Sequence, residues 1–175
     1  MILYKIIKTP HVAEWSDYRK TSSFRRGARW NSPGQPVMYL SSNVQNAMLE
    51  IANYAISPRM ANSLYRLVVF EFPPIRLHTV RVSSLPAEWS RSEHHADTQA
   101  LGDTLLRKAA HDGFVVPTTA VHAAISMHPN RAVRETSYQN VVINLEKIDS
   151  AQVNIIERLS PVFSIRMFSR VSARE

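Results

Sequence analysis

Apolar residues open the chain at Ile2, Leu3, Tyr4, Ile6 and Ile7 and predict a strand over residues 2–7. A short strand over 37–41 then leads into the best-marked helix. Ser42 and Gln45 stand at capping-box spacing, so the helix is predicted to begin at Ser42. Val44, Ala47, Met48, Ile51, Ala52 and Ala55 recur at helical spacing as one apolar stripe, and Pro58 marks its end. Glu50 and Tyr54, four residues apart, share the edge of that stripe. Residues 65–72 are β-branched and aromatic and are stopped by Pro73 and Pro74, which predicts a strand. Another follows over 77–82. Residues 83–97, with Pro86 and Trp89, read as a polar loop. A helix is predicted over 98–110, with Arg107, Lys108 and His111 at its end and Gly113 as its stop. Later strands are predicted over 114–116, 140–145 and 162–168, with a further one over 153–156. Strands outnumber helices and only some alternate with them. The expected class is α+β, a single domain over 1–175 with a mixed or antiparallel sheet core and flanking helices.

Length and charge narrow the field without choosing a function. A chain of 175 residues is most economically one domain and buries roughly two thirds of its unfolded surface. No stretch approaches the ~18–20 apolar residues of a membrane span. The opening apolar run is too short for a signal-peptide core and no small-residue cleavage site follows it. There is no cysteine, hence no disulfide or thiolate chemistry. The expected compartment is the cytoplasm. A net charge of +7 favours polyanions, an acidic protein partner or a phosphate-bearing ligand. A basic nucleic-acid-binding domain is one such reading, although the arginines are dispersed from Arg19 to Arg174 rather than gathered on one helix.

Candidate chemistry concentrates between Gly27 and Ser41, followed nine residues later by Glu50. Arg29 beside Trp30 reads either as a structural ion pair next to a core tryptophan or as a planar fork for phosphate oxygens beside an aromatic support. Arg25 and Arg26 read as solvated or as secondary phosphate contacts. Gly27 and Gly34 serve backbone geometry, with Pro33-Gly34 setting a turn. Tyr39, on a short strand, reads as core or as a pocket residue. Glu50 reads as a helix-edge carboxylate paired with a cation, or as a carboxylate aimed at a substrate. The run Glu93-His94-His95-Ala96-Asp97 has metal-capable side chains but no partner motif at ligand spacing, and reads as a polar loop. No phosphate-cradling loop, Gly-x-Gly-x-x-Gly or Gly-x-Ser-x-Gly is present, so any dinucleotide is bound in other than the Rossmann manner.

The stretch Gly27-Ala28-Arg29-Trp30-Asn31-Ser32-Pro33-Gly34-Gln35-Pro36-Val37-Met38-Tyr39-Leu40-Ser41, with Glu50 on the following helix, resembles the opening motif of the RES domain family. That family holds toxins of bacterial toxin–antitoxin systems, resembles ADP-ribosyltransferases in fold and consumes NAD. The resemblance implies NAD as substrate, cleaved at the nicotinamide–ribose bond, with phosphate, water or a protein side chain as acceptor and no metal. It implies Arg29, Glu50 and Thr118 as catalytic residues, and Arg29, Trp30, Tyr39 and Tyr54 as NAD contacts. A carboxylate at Glu50 would stabilise an oxocarbenium-like ribose. The implied partner is a cognate antitoxin with an Xre-like helix-turn-helix region, in a homodimer or higher toxin–antitoxin assembly. The chain departs from the family pattern at several points. Thr118, after Val116-Pro117, stands where a serine is usual, and Tyr54 where histidine is frequent. Asn144 to Ile148 replaces an N-P-x-H-P run, Ser164 stands for aspartate, and His122 to Gln139 looks like an insertion. A RES fold that has lost activity and serves only in binding is the alternative these departures raise.

Overall fold

Strand β1, Ile2–Lys8, forms where the opening apolar run is found, and its two faces enter different cores. The computed structural model describes residues 1–54, 57–91, 96–120, 139–160 and 163–164. After β1 come α1 (Ser22–Arg26), β2 (Val37–Ser41), α2 (Val44–Ala52), α3 (Pro58–Leu64), β3 (Tyr65–Glu71), β4 (Leu77–Thr79), α4 (Ala96–Arg107), β5 (Gly113–Pro117), β6 (Gln139–Asn144) and β7 (Asn154–Leu159). The seven strands form one sheet in the order β4-β5-β6-β2-β1-β3-β7. Neighbours run antiparallel except β4 and β5, so the sheet is mixed, as expected.

Period-two alternation divides the apolar residues between the sheet's faces. Leu3, Ile7, Met38, Leu40, Val68, Phe70 and Ile143 pack on one face with Val12, and Trp15 leans on Phe70 with ring centroids 5.1 Å apart. On the other face, α4 places Leu105 and Leu106 over Val37, Phe114 and Val142, together with Trp30. Further along that face, Ala47 of α2 and Ala61 of α3 cover Ile6 and Leu67. Each fully buried Phe or Leu contributes about 1.5–3 kcal/mol relative to exposure, so these two layers carry the stability.

The boundaries differ from expectation where a polar side chain finds a better partner. Ser42 does not cap α2. Its backbone N–H donates to the Gln139 carbonyl, extending the β2–β6 ladder, and Asn43 caps the helix by accepting from the Asn46 N–H. Pro58 does more than stop a helix: it stands in the first turn of α3, whose N-cap Ser57 accepts from the Met60 N–H. The expected strand over 77–82 ends at Thr79, followed by a 3₁₀ turn, Val82–Ser84. Helix α4 starts at Ala96 and ends at Arg107, so Gly113 is no helix stop. A Cβ there would lie 2.3 Å from the Val142 carbonyl oxygen, and the glycine lets β5 approach β6. Strand β7 runs further than the expected 153–156. Of the strand expected over 162–168, Phe163 and Ser164 are described and lie outside any strand; the other positions are outside the described residues. So are 121–138 of the expected insertion, and His94 and His95.

Gly102 couples α4 to the segment carrying Arg29. A Cβ at Gly102 would fall 1.9 Å from the Trp30 carbonyl oxygen and 2.7 Å from its carbon. Alanine in a helix gains up to ~1 kcal/mol over glycine, but a clash with backbone cannot be relieved by a rotamer change and costs ~1–3 kcal/mol or more. Gly102→Ala is therefore expected to lower stability by roughly 1–2 kcal/mol, seen as a thermal midpoint about 3–6 °C lower. A midpoint equal to or above wild type would show that α4 does not rest on the Trp30 backbone.

Candidate active site

The motif segment is held by its own polar side chains. Thr21 caps α1 by accepting from the Phe24 N–H, and the helix ends at Gly27, whose φ of 76° is open to glycine and strained for other residues. Ala28 and Asn31 then exchange backbone hydrogen bonds, closing a tight turn with Arg29 and Trp30 at its tip. Asn31, fully buried, donates through Nδ2 to the Ser23 and Ser32 carbonyls and accepts through Oδ1 from the Tyr39 hydroxyl at 2.7 Å. The same hydroxyl accepts from the Trp30 N–H at 3.1 Å. From α4, Gln99 donates to the Ala28 carbonyl and Asp103 accepts from the Ser32 N–H. Arg29 is thus mounted on a turn braced from β2 and from α4.

These bonds decide what the aromatic residues can do. Trp30 is 2% exposed and packs edge-on against Phe114, so it supports the turn from the core and offers no face to a ligand. Tyr39 spends its hydroxyl on Trp30 and Asn31, and burial pushes its phenol up, keeping it a neutral donor. Its hydroxyl is therefore taken up by the turn. Tyr54, just beyond α2, is 73% exposed and acts electrostatically on Arg29. Its ring stands free at the rim.

Glu50, half-buried on α2, receives two hydrogen bonds on one oxygen. Thr118 Oγ1, at the end of β5, donates to Oε1 at 2.5 Å, and Asn140 Nδ2, on β6, donates to the same atom at 2.6 Å. Among the described residues Oε2 makes no hydrogen bond. The Thr118 hydroxyl also accepts from the Ala120 N–H, which turns its proton toward Glu50. Asn140 is oriented in turn by Asn46, whose Nδ2 donates to the Asn140 Oδ1 at 2.8 Å, to the Ser41 hydroxyl and to the Gln139 carbonyl. Arg29 lies within electrostatic reach of this carboxylate. Burial lowers the guanidinium's pKa and Glu50 opposes that shift, followed by Tyr54 and Tyr39. Its Nη1 donates to the Trp89 carbonyl at 2.7 Å, drawing the 85–91 loop to the site. Arg25 and Arg26 are exposed at the end of α1.

The fold brings together Arg29, Glu50, Thr118 and Tyr54, with Tyr39 and Trp30 as supports. It also brings in residues that sequence reasoning missed: Asn140, Asn46 and Lys5. Lys5 and Asn46 are polar residues among apolar positions, which was the available signal, whereas Asn140 stands just before the apolar run Val141 to Ile143 and carries none. Lys5 Nζ donates to the Tyr39 carbonyl at 2.6 Å; burial lowers its pKa to about 8, while Glu50 pulls it back up. The result is a carboxylate with one free oxygen opposite a cation, suited to an anionic ligand that develops positive charge beside the carboxylate. Among the described residues no group of three or more His, Asp or Glu side chains is placed to hold a metal, and no helix is long and apolar enough to cross a membrane.

The curated proteins this chain resembles include "Toxin Res" of Yersinia enterocolitica, 26% identical over 152 residues, covering 86% of this chain and 96% of that protein. "Toxin Res" of Photorhabdus laumondii is 25% identical over 122 residues, covering 69% and 76%. "Toxin Res" of Pseudomonas putida is 31% identical over 110 residues, covering 61% and 68%. Among solved structures, the M. tuberculosis MbcT–MbcA toxin–antitoxin complex contains a chain of similar fold, with a TM-score of 0.65 and 17% identity, over 91% of this chain and 83% of that one. The expected α+β architecture, one mixed sheet with flanking helices, is the one found, and it is shared with that chain. The RES domain family matches residues 2–154, nearly the whole sheet and all of the Arg29–Glu50–Thr118 constellation, and the chain belongs to that family.

Proposed function

We propose that this chain is the toxin of a bacterial toxin–antitoxin pair and that it destroys NAD by breaking the nicotinamide–ribose bond. The observation that carries the reading is the Glu50 carboxylate, fixed through Oε1 by Thr118 and Asn140 with Oε2 left over. As nicotinamide leaves, the ribose gains oxocarbenium character, and a preoriented carboxylate stabilises that charge without reorganising. Arg29 supplies a cation for the pyrophosphate, and the exposed Tyr54 ring offers a stacking surface at the rim. Tyr39 and Trp30 act by holding the Arg29 turn. NAD is consumed as substrate, and no step calls for a metal.

Relatives named as toxins and a neighbour solved as a toxin–antitoxin complex support a protein partner. The partner that fits is a cognate antitoxin with an Xre-like helix-turn-helix region and an acidic surface to meet the +7 charge, in a dimeric or higher assembly. The location that suits both the proposed substrate and such a partner is the cytoplasm.

The test is nicotinamide release from NAD by the purified chain, free of antitoxin, with and without inorganic phosphate. A requirement for phosphate identifies phosphorolysis; ADP-ribose without phosphate identifies water as the acceptor, and label on protein identifies transfer. Glu50→Gln is expected to reduce turnover by ~10²–10³, the scale of removing one preorganised electrostatic partner. A folded wild-type sample that leaves NAD intact would overturn the proposal.

The Thr118 hydroxyl gives a second expectation. Thr118→Val keeps the shape and removes the donor, which should cost about 10–100-fold in turnover, the equivalent of the ~1–3 kcal/mol of an abandoned buried hydrogen bond. Thr118→Ser keeps the donor and should stay within a few-fold of wild type. Equal activity in the valine and serine variants would show that the hydroxyl does not orient Glu50.

A further inference from the structure

The sheet has a seam, and Lys5 fills it. Strands β1 and β3 share seven registered pairs and β2 and β6 share five, but β1 and β2 share only Tyr4↔Ser41. Antiparallel strands alternate the side to which their backbone groups point. In β2 and its flanks, Pro36 accepts from the Leu145 N–H and Ser42 donates to the Gln139 carbonyl, so even-numbered positions bond toward β6. The carbonyl of Tyr39 therefore faces β1. Continuing the Tyr4↔Ser41 register would pair Tyr39 with Ile6, and that pair is missing. The oxygen that would have accepted from Ile6 accepts from the Lys5 ammonium at 2.6 Å instead.

We propose that Lys5 is a positioning residue for NAD cleavage, replacing the missing rung between β1 and β2 with a charge-assisted hydrogen bond that holds Tyr39 in place. The inference rests on the NAD-cleaving reading above. Tyr39 is the post on which the turn is braced, since its hydroxyl takes the Trp30 N–H and donates to Asn31. Lys5 thus acts on Arg29 through two links.

The charge matters because an ammonium bonds a carbonyl about twice as strongly as a neutral amine. Glu50 on α2 is the charged group that acts on Lys5; from β2 it meets the Tyr39 backbone, and its register partner on β3 is Val68. Burial lowers the Lys5 pKa to about 8, and Glu50 works to raise it. The clamp is therefore intact below that pH and loses its charge as pH rises through it.

The experiment compares nicotinamide release by the wild type, Lys5→Met and Lys5→Arg from pH 6 to 10, with thermal melts of each. The wild type should lose turnover along an alkaline limb centred near pH 8. Lys5→Met should lose tenfold or more in kcat at pH 7, with less change in KM, and show no limb. Lys5→Arg should recover most of that loss and stay active to pH 10, because arginine does not titrate there. A Lys5→Met protein that melts and turns over like wild type overturns the proposal. If Lys5→Met fails to fold, Lys5→Arg decides: an unchanged limb near pH 8 overturns it as well. Loss of NAD cleavage in the wild type itself belongs to the functional reading, and the clamp is then tested by NMR titration of the Lys5 amine. Glu50→Gln should move that midpoint below the wild-type value, and an unmoved midpoint removes the coupling.

Discussion

A half-buried carboxylate must find donors, and the site is arranged around how Glu50 finds two on a single oxygen. Thr118 reaches it from the end of β5 and Asn140 from β6. Both can do so because of strand register. Asn140 stands opposite Ser41 on β2 and opposite Val116 on β5, so it occupies the crossing point of two ladders. From there it lies two residues along from Thr118, on the partner strand, and under the first turns of α2. A slip of one residue in β6 would turn Asn140 to the opposite face and bring Val141 against a carboxylate. The apolar positions guard against that slip, since Val141 and Ile143 enter one core and Val142 the other. Chemistry and packing therefore select the same register.

The polar chain behind Glu50 carries a cost that the fold tolerates. Asn46 is wholly buried and gives its amide nitrogen three acceptors, while its Oδ1 has no hydrogen-bond partner among the described residues. An apolar residue there would pack α2 on the sheet without that loss, at the expense of leaving the Asn140 amide free to turn. A similar exchange appears at the Arg29 turn. Asn31 and Asp103 are buried polar residues in a core where Leu would be less demanding, yet they satisfy the backbone of a turn that has no ladder of its own. Stability is surrendered locally to hold the Arg29 turn and the Glu50 carboxylate in fixed positions.

How much of this could be read from the sequence varied with whether the signal was local. Strands with clear alternation or β-branched runs, such as 2–7 and 65–72, were legible almost to the residue, because burial on a sheet face is written with period two. The family motif marks Arg29, Glu50 and Thr118 in order along the chain, and the fold brings these three together at the candidate site. Their partners were not legible. Asn140 matters because it faces Ser41 across one ladder and Val116 across another, and neither pairing is visible in a linear string. Ser42 and Gln45 had the spacing of a cap, but Ser42 was claimed by β6, a partner 97 residues away. The contacts of Trp30 are hidden for a related reason. Its ring packs against Phe114 and its N–H meets the Tyr39 hydroxyl, and neither partner is marked in the local sequence around Arg29.

Threonine in place of serine at position 118 can be understood from the same geometry. The hydroxyl has two obligations, donating to Glu50 and accepting from the Ala120 N–H, and together they leave one useful χ1 rotamer. A serine must be held in that rotamer against two others. A threonine is restricted already by its branched Cβ, so less rotational freedom remains to be lost when the carboxylate is engaged. The extra methyl is cheap to bury, since the residue is 6% exposed at the end of a strand whose other positions are apolar. Branching at Cβ would be a liability if the hydroxyl had to swing between partners during turnover. For a donor that holds one oxygen of Glu50 still and leaves the other unbonded, stiffness is the property the geometry uses.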